Sequence, residues 1–376
     1  MKEKFRHFRN FKYLIIIAFL FAGNVFISCE NSKEEYFTEA DFKTMNKIDI
    51  HCHVNTKNPA FMEQADADNF RILTINTDAP LGVTIEEQRA LAVFQKKAFP
   101  QHLEYLTTFS LEGWENEDWA EKTIAYLEES FKMGAIGVKV WKNIGMVEKN
   151  KDNQFIMIDD PKFDPVFNYL AEKGIPVAGH LGEPRNCWLP LEEMTVNNDK
   201  AYFKDHPEYH MYLHPELPSY EDQIDARNRR LMKHTNLRFM GAHLASLEWS
   251  VDELGDFFDQ FPNATADLAE RMCHIQAQAG EDREKVRNFF IEYQDHIIYG
   301  TDRGDYQGSE QDPVKLKELV HEEWTSDWKF LTTNESMSSW KVNGDFNGLL
   351  LPKPVIEKIY YKNAERMFPE FKKLRN

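Results

Sequence analysis

Two histidines in one short apolar segment are the first residues of this chain that could carry out chemistry. His51 and His53 lie within Ile48–Val54 and are separated by Cys52. In a β-strand alternate side chains share a face, so both imidazoles point to one side and Cys52 to the other. Two imidazoles on one face can bind one divalent metal ion. Such a pair alone is more often ordinary strand histidine, so the metal-site prediction depends on further residues.

The further residues come at the ends of later apolar runs. His180 and His243 each end such a run, and Asp302 closes a third. One histidine of this kind is usually a satisfied, hydrogen-bonded residue. Several titratable groups at strand ends are harder to explain by packing, because burying them without a shared ion would cost several kcal/mol. The set therefore favours a metal-binding catalytic site.

The elements that must position these residues follow an alternating pattern. Short β-branched runs alternate with longer helical patterns, which predicts βαβ units and a parallel sheet. Eight strands close a barrel, and 376 residues suit one barrel domain. The predicted strands are Ile48–Val54, Arg71–Ile75, Leu103–Phe109, Ile136–Trp141, Pro176–His180, Leu237–His243, Ala264–Leu268 and Ile297–Gly300. The predicted helices are Glu86–Ala98, Asp118–Met133, Asp164–Lys173, Gln223–Lys233, Val251–Phe261, Arg283–Tyr293 and Pro354–Met367. The expected fold is α/β, a (β/α)₈ barrel of the TIM type, with the site at the C-terminal ends of its strands.

The order of these motifs resembles the amidohydrolase superfamily. The sequence motifs are most similar to those of its amidohydrolase-related branch. They are IDIHCHVN, GVKVW, GAHLASLEW and YGTD, together with the C-terminal segment YYKNAERMFP. The resemblance covers Ile48 to Pro369. The branch contains hydrolases, lactonases and non-oxidative decarboxylases, so the resemblance implies a metal-dependent enzyme without fixing its substrate.

Carried over by position, the resemblance implies a role for each motif residue. His51, His53, His180 and Asp302 would bind the metal, and Asp302 would also take the proton of a metal-activated water. His243 would bind a second metal, contact the substrate or stabilise developing negative charge. This assignment makes physical sense, because a divalent metal lowers the pKa of bound water and a nearby carboxylate can take the proton.

Lys139 in GVKVW leaves the number of metal ions open. In binuclear relatives a carboxylated lysine on the fourth strand bridges two metals, whereas mononuclear members often carry a lysine nearby that binds none. The resemblance favours one ion. Zinc is the expected metal because the ligands are nitrogen-rich with one carboxylate, and manganese and iron are alternatives.

Several polar residues near the predicted strand ends are candidate substrate contacts, although loop polar residues are commonly just solvated. They are Asn76, Asp78, Trp141, Lys142, Glu183, Arg185, His210, His214, Arg227 and Arg303. Glu183 could instead orient a ligand. Asp267 and Arg271 are interpreted as a structural ion pair.

Two segments are too long for a minimal barrel. Leu181–Asp222 is rich in His, Pro, Tyr and Trp. We expect it to cover the metal and set specificity, with His210, His214 and Tyr220 nearest the site; its aromatic residues could equally form a small satellite core. The second segment, Arg303–Leu351, would also leave the mouth of the barrel.

Composition and the N-terminus limit partners and location. A formal net charge of −17 disfavours nucleic-acid binding, so the expected partner is a small-molecule substrate, and a homo-oligomer is also compatible with the sequence. A basic start, an apolar run and Ser28-Cys29 resemble a bacterial lipoprotein signal; an uncleaved membrane anchor is the alternative. The predicted organisation is a signal peptide at 1–28, a polar tether at 29–46 and a barrel domain at 47–376. Cys29 would carry the lipid, which places the enzyme in the cell envelope with membrane contact only through this anchor.

Three functions are consistent with these residues. The first is a metal-dependent hydrolase of an amide, ester or lactone, and the second is a metal-dependent decarboxylase of an aromatic or unsaturated acid. The third is an inactive surface-anchored binding protein, against which the complete ligand set argues.

Overall fold

The computed structural model describes residues 35–79, 83–308 and 312–374. The strands are β1 (Lys47–Asn55), β2 (Phe70–Ile75), β3 (Leu103–Leu106), β4 (Val138–Val140), β5 (Val177–Gly179), β6 (Phe239–Gly241), β7 (Thr265–Asp267), β8 (Ile297–Ile298), β9 (Arg303–Tyr306), β10 (Ser336–Ser338) and β11 (Asp345–Asn347). The helices are α1 (Ala60–Ala67), α2 (Ile85–Ala98), α3 (Trp119–Lys132), α4 (Asn143–Met146), α5 (Asp164–Lys173), α6 (Asn197–Asp205), α7 (Tyr220–Lys233), α8 (Ala242–Ala245), α9 (Val251–Gln260), α10 (Met272–Glu292), α11 (Pro313–Thr332), α12 (Lys353–Glu357), α13 (Asn363–Met367) and α14 (Glu370–Lys373), with a π-helical turn (Lys358–Lys362) between α12 and α13.

The barrel strands are parallel and lie in two sheets rather than one closed sheet. One sheet has the order β3-β2-β1-β9 and the other β4-β5-β6-β7-β8. Between β3 and β4, a parallel bridge joins Thr107 to Val138. At the other seam, β8 and β9 act as two halves of an eighth strand: β8 pairs with β7, and β9 pairs with β1. All eight predicted strands are confirmed, and the fold is the (β/α)₈ barrel that the sequence predicts.

The core has an inner and an outer layer. Ile48 and Ile50 lie in the inner cluster, whose lower end is filled by Phe368 and Phe371 near the C-terminus. Val54 belongs to the larger cluster between the strands and the surrounding helices. The C-terminal residues therefore close the end of the barrel where the strands begin, and leave the opposite end for the polar residues.

Six helices of the described residues were not predicted, and one of them corrects the interpretation of a long segment. Within Arg303–Leu351, which was expected to leave the barrel mouth, α11 forms an outer helix of the barrel. Trp324 and Trp328 on this helix are fully buried, and the ring of Trp324 stacks on Phe70 with the centroids 4.0 Å apart. These tryptophans therefore pack the outer core, because their spacing places both on the inner face of a helix. The other unpredicted helices are α1, α4, α6, α8 and α14.

The predicted tether is also too long. Phe42 and Met45 are buried, and Trp328 donates a hydrogen bond from its indole nitrogen to the carbonyl of Thr38 at 3.1 Å. The packed body therefore includes the chain from residue 35, because these apolar side chains gain burial on the barrel surface. The predicted signal peptide and Cys29 lie outside the described residues. Within those residues, no helix combines the length and the apolar character that crossing a membrane requires.

Candidate metal centre

An irregularity in β1 decides which way its histidines point. Ile50 faces the inner core, so strict alternation would send His51 outward together with Asp49. The pairing of β1 with β2 shifts register between Asp49 and Cys52, which reverses the phase of the strand. Asp49 stays outside, where it accepts hydrogen bonds from Thr301 at 2.7 Å and Trp324 at 3.0 Å. His51 and His53 can then both face the barrel interior.

The two imidazoles converge on one carboxylate oxygen. Asp302 Oδ1 lies 3.0 Å from His53 Nε2 and 3.3 Å from His51 Nε2. One ligand atom from each of the three residues lies within 4.8 Å of the others, so the group could hold a metal ion. Asp302 sits between β8 and β9 with a φ of 68°, a conformation uncommon for a residue with a Cβ.

The tautomers of the histidines leave their converging atoms without protons. His53 Nδ1 lies 2.8 Å from the carbonyl oxygen of Ile75, which can only accept, so this nitrogen must donate. His51 Nδ1 lies 2.8 Å from Asp267 Oδ2, which likewise accepts when ionised. In the neutral imidazoles both Nε2 atoms are then lone-pair acceptors that face the lone pairs of Asp302 Oδ1. Facing lone pairs repel, so this geometry needs a positive charge close to them, from an added proton, from the ammonium of Lys139 or from a bound cation.

Asp302 is held in its charged form. Burial alone would raise the pKa of this carboxyl, but positive charge on the imidazoles of His51, His243 and His53 outweighs burial and holds the pKa well below its usual range. A cation bound in the same place would act in the same direction. An ionised carboxylate is the form that binds a metal and accepts a proton.

His180 contributes a buried nitrogen with no hydrogen bond. Its Nε2 has no hydrogen-bond partner among the described residues and lies 3.6 Å from Glu183 Oε2. Its ring centroid is 4.2 Å from that of His243. Burial, and next the positive charge of Lys142, hold the pKa of His180 well below its usual range, so the ring is neutral and able to bind a metal.

His243 is presented by an unusual backbone. The residues His243, Leu244, Ala245 and Ser246 have φ values of 58°, 55°, 56° and 56°, which is a left-handed turn made without glycine. Left-handed residues with a Cβ cost roughly 1–2 kcal/mol each, so about 4–8 kcal/mol must be offset by surrounding contacts. The ring is fixed by Nδ1, which donates to the carbonyl of Ala269 at 3.0 Å. Burial, and next His180, hold the pKa of His243 well below its usual range, so Nε2, 4.0 Å from Asp302 Oδ2, is a proton acceptor.

The interpretation of Asp267 as the partner of Arg271 in a structural ion pair is wrong. Asp267 forms no ion pair with Arg271, which instead lies 4.0 Å from Glu183. Its carboxylate accepts from His51 Nδ1 and, at 2.7 Å, from the backbone N–H of His243. Asp267 therefore orients two histidines of the cluster at once. The signal was available, because Asp267 ends an apolar strand just as the candidate ligands do.

Lys139 points into the barrel and contacts the cluster directly. Its ammonium is buried and donates from Nζ to His51 Nε2 at 3.1 Å. Burial lowers the pKa of Lys139 to about 8, against the opposing effect of Asp267 and Asp302. A cation bound to His51 Nε2 would have to replace this hydrogen bond.

A second group of polar residues lies beside His180. Glu183 pairs with Lys142, whose ammonium also lies 5.7 Å from the ring centroid of Trp141. The guanidinium of Arg185 lies 4.1 Å from the ring centroid of Trp249. The proximity of Glu183 to His180 agrees with an orienting role. Of the other candidates, Asp78 accepts a hydrogen bond from the side chain of Asn143.

Four predicted substrate contacts make hydrogen bonds or ion pairs elsewhere. His210 Nε2 donates to the carbonyl of Leu189 at 2.7 Å, and His214 Nε2 donates to that of Pro207 at 3.1 Å, so both are bound to their own loop. Arg303 pairs with Glu323 on α11.

The fourth, Arg227, is fully buried and donates to the carbonyl of Ala245 behind the left-handed turn. Burial lowers the pKa of this guanidinium to about 10.

The expectation that the long segment covers the metal through His210 and His214 stays a prediction, although both side chains are hydrogen-bonded to carbonyls of their own loop. Its apolar residues form the satellite core that was the alternative, built on Cys187, Met194, Phe203 and Met211. The physical reason is that a long polar excursion needs its own burial to stay ordered.

Three further residues lie near the histidines: Tyr306 and Asn55 were missed by the sequence analysis, whereas Asn76 was predicted as a substrate contact. The ring of Tyr306 stacks over His53 with centroids 6.5 Å apart. The side-chain amides of Asn55 and Asn76 are buried, and neither atom of either amide has a hydrogen-bond partner among the residues that the structure describes. Asn55 has a sequence signal, because it lies two residues after His53 in the same strand.

Comparison with models of protein families identifies the family of this chain. The model of the amidohydrolase family matches residues 113–369 of this chain. A search of curated proteins finds no match.

Solved structures share the fold at low sequence identity. An uncharacterized TIM-barrel protein from Bordetella bronchiseptica is 15% identical with a TM-score of 0.51, over 87% of this chain and 100% of the other. A 2,6-dihydroxybenzoate decarboxylase from Rhizobium is 12% identical with a TM-score of 0.51, over 87% and 99%. A probable 2-pyrone-4,6-dicarboxylic acid hydrolase from Acinetobacter baumannii is 13% identical with a TM-score of 0.45, over 86% and 100%. At these identities the likeness to the first two structures establishes the fold alone.

Proposed function

The chain belongs to the amidohydrolase family, and from that premise we propose that it is a metal-dependent hydrolase that cleaves an amide, ester or lactone bond of a small molecule. The observation that carries the proposal is the convergence of His51 Nε2, His53 Nε2 and Asp302 Oδ1. Three lone pairs aimed at one place in a buried site favour a bound cation over any packing role.

The residues present fit one divalent metal ion. His51, His53, His180 and Asp302 would hold it, since His180 Nε2 is a buried nitrogen without a hydrogen-bond partner among the described residues. Zinc is the expected metal because three imidazoles and one carboxylate suit it, with manganese and iron as alternatives. The other candidate group, formed by His51, His243 and Asp267, is already hydrogen-bonded internally. One ion is therefore favoured over two.

The chain supplies the proton transfer. A divalent ion at this place would polarise a substrate carbonyl and lower the pKa of water. Asp302 is ionised and lies against His53 and His51, so it would accept the proton of the attacking water and deliver it to the leaving group. His243, neutral and with Nε2 4.0 Å from Asp302 Oδ2, would act as a second proton acceptor facing the substrate.

We further propose that lipid on Cys29 holds the enzyme at the cell envelope, with the barrel in water. The basic start and the apolar run before Ser28-Cys29 support this location.

The test is a substrate screen on the full chain. Lactones, N-acyl compounds and aromatic acids are offered to protein whose metal content has been measured, and both hydrolytic products and CO₂ are recorded. We expect hydrolysis that depends on bound metal and that falls by at least about 10²-fold in Asp302→Asn, the usual effect of losing a general base. Release of CO₂ would show a decarboxylase instead. Tight binding of metal and ligand without turnover would show a binding protein.

A further inference from the structure

The helix α7 carries a polar stripe that reaches three loops at the mouth of the barrel. Tyr220, Gln223 and Arg227 have the spacing i, i+3 and i+7, which places them on one face of the helix. Gln223 donates from its side-chain amide to the carbonyl of Gly145, after β4, at 2.7 Å. Its Cβ also lies 3.3 Å from where Gly182, after β5, would carry a side chain.

The other two members of the stripe hold the left-handed turn after β6. The hydroxyl of Tyr220 donates to the carbonyl of Ser246 at 2.5 Å, and the guanidinium of Arg227 donates to the carbonyl of Ala245. The indole of Trp249 donates to the Tyr220 oxygen at 2.9 Å, which fixes the direction of that hydroxyl. Two consecutive carbonyls of a strained turn are thus bound from one helix.

The turn has further attachments to the barrel, among them the hydrogen bond from His243 Nδ1 to the carbonyl of Ala269 at 3.0 Å and the contact of the Ser246 hydroxyl with the carbonyl of Leu181 at 3.3 Å. The hydroxyl of Ser246 lies 3.2 Å from the carbonyl of Gly182, and the N–H of His243 donates to Asp267. A left-handed turn of residues with side chains relaxes unless surrounding contacts hold it. Because His243 is the first residue of the turn, relaxation of the turn would rotate its imidazole away from Asp302.

Arg227 is an unusual choice for a purely structural contact. Its guanidinium is fully buried, and no carboxylate pairs with it among the residues that the structure describes. Burying an unpaired charge is unfavourable. Its contacts are the carbonyl of Ala245, the side chain of Asn228 and the ring of Phe257, whose centroid is 4.5 Å away.

We propose that Tyr220 and Arg227 are positioning residues that set the orientation of the His243 imidazole by holding the turn His243–Ser246. The long segment that precedes α7 would then influence the site through this helix, because the ring of Trp188 packs on Tyr220 with centroids 5.6 Å apart. The proposal rests on the proposed function only in giving His243 a part in catalysis; the orientation itself is independent of any substrate.

The test compares two variants with a matched control. Tyr220→Phe removes one hydroxyl, and Arg227→Met removes the charge while keeping an apolar side chain. The control is Tyr105→Phe, because Tyr105 is also buried and its hydroxyl also donates to a backbone carbonyl, that of Ser130 at 3.2 Å. The full chain, labelled with ¹⁵N-histidine, is studied as purified, and the His243 resonances are identified by their loss in His243→Gln.

We expect the imidazole resonances of His243 to shift or broaden in Tyr220→Phe and Arg227→Met and to stay in place in Tyr105→Phe. The amide protons of Ser246 and Leu247, which bond within the turn, should exchange at least about fivefold faster in Tyr220→Phe, since a buried carbonyl has lost its donor. Unchanged His243 resonances in Tyr220→Phe, or equal changes in the control, would overturn the proposal. Neither readout requires turnover, so this result stands whether or not hydrolysis is found.

Discussion

The contact between Asp267 and His51 gives the sharpest test of the proposed metal centre. Asp267 Oδ2 accepts the proton of His51 Nδ1 at 2.8 Å, and Oδ1 accepts the backbone N–H of His243 at 2.7 Å. In Asp267→Asn the amide oxygen can keep the second bond, which turns the NH₂ group towards His51 Nδ1. Two donors then face each other, so His51 would move its proton from Nδ1 to Nε2.

The tautomer change predicts the size of the effect. A protonated Nε2 cannot bind a metal. Regaining the original tautomer means giving up the hydrogen bond from the introduced amide and leaving two buried donors face to face, which costs about 1–3 kcal/mol. Changing a residue that orients a metal-binding histidine usually lowers metal affinity by about 10–100-fold. We therefore expect Zn²⁺ to bind Asp267→Asn about 10–100-fold more weakly than the wild type.

The assay is a competition titration of metal-stripped full chain with Zn²⁺ and a coloured chelator, with urea unfolding to verify the fold. The matched control is Asp199→Asn, because Asp199 is a buried carboxylate that lies 3.0 Å from the buried His274 outside the candidate ligands. Wild-type Zn²⁺ affinity in Asp267→Asn would refute the tautomer argument. An equal loss in Asp199→Asn would show that the effect is general destabilisation.

Three further predictions use other parts of the chain. Burial, and next the charge of Glu323, raise the pKa of Asp327 to about 8, whereas the unfolded carboxyl titrates near about pH 4. The free energy of unfolding should therefore fall as pH rises between these values. Asp327→Asn should flatten that slope in urea unfolding, and an unchanged slope would contradict the assignment. His210→Ala should lower the free energy of unfolding by about 1–3 kcal/mol, because the hydrogen bond to the carbonyl of Leu189 is lost. It should leave kcat/KM unchanged; a change in substrate specificity without a loss of stability would instead support the role of this segment as a lid. Cys29→Ser should leave an unprocessed precursor on immunoblots, and normal processing would contradict lipidation.

The fold and most of the candidate ligands could be predicted because they depend on local patterns. Apolar runs that alternate with helical repeats predict parallel strands, and a barrel brings the C-terminal ends of its strands to one rim. A histidine or aspartate that ends such a run must therefore lie near the others. His51, His53, His180, His243 and Asp302 follow this rule, and Asp267 follows it too.

The directions of loop side chains could not be predicted in the same way. His210 and His214 lie in the segment after β5, and nothing in their local sequence shows that they bond to the carbonyls of Leu189 and Pro207. Arg227 reads as a polar residue of an amphipathic helix, yet it is fully buried against Ala245. Such partners are distant or irregular in sequence, so only packing selects them.

The sequence by itself therefore determined the barrel, its polar rim and the family to which the motifs point. The tertiary structure decided the register shift that turns His51 inward, the left-handed turn that presents His243, and the carboxylate of Asp267 that orients both. The physical reason is the range of the interactions. Strand and helix periodicity arises between near neighbours in the chain, whereas a reversed strand phase or a strained turn persists only when contacts from several distant segments offset its cost.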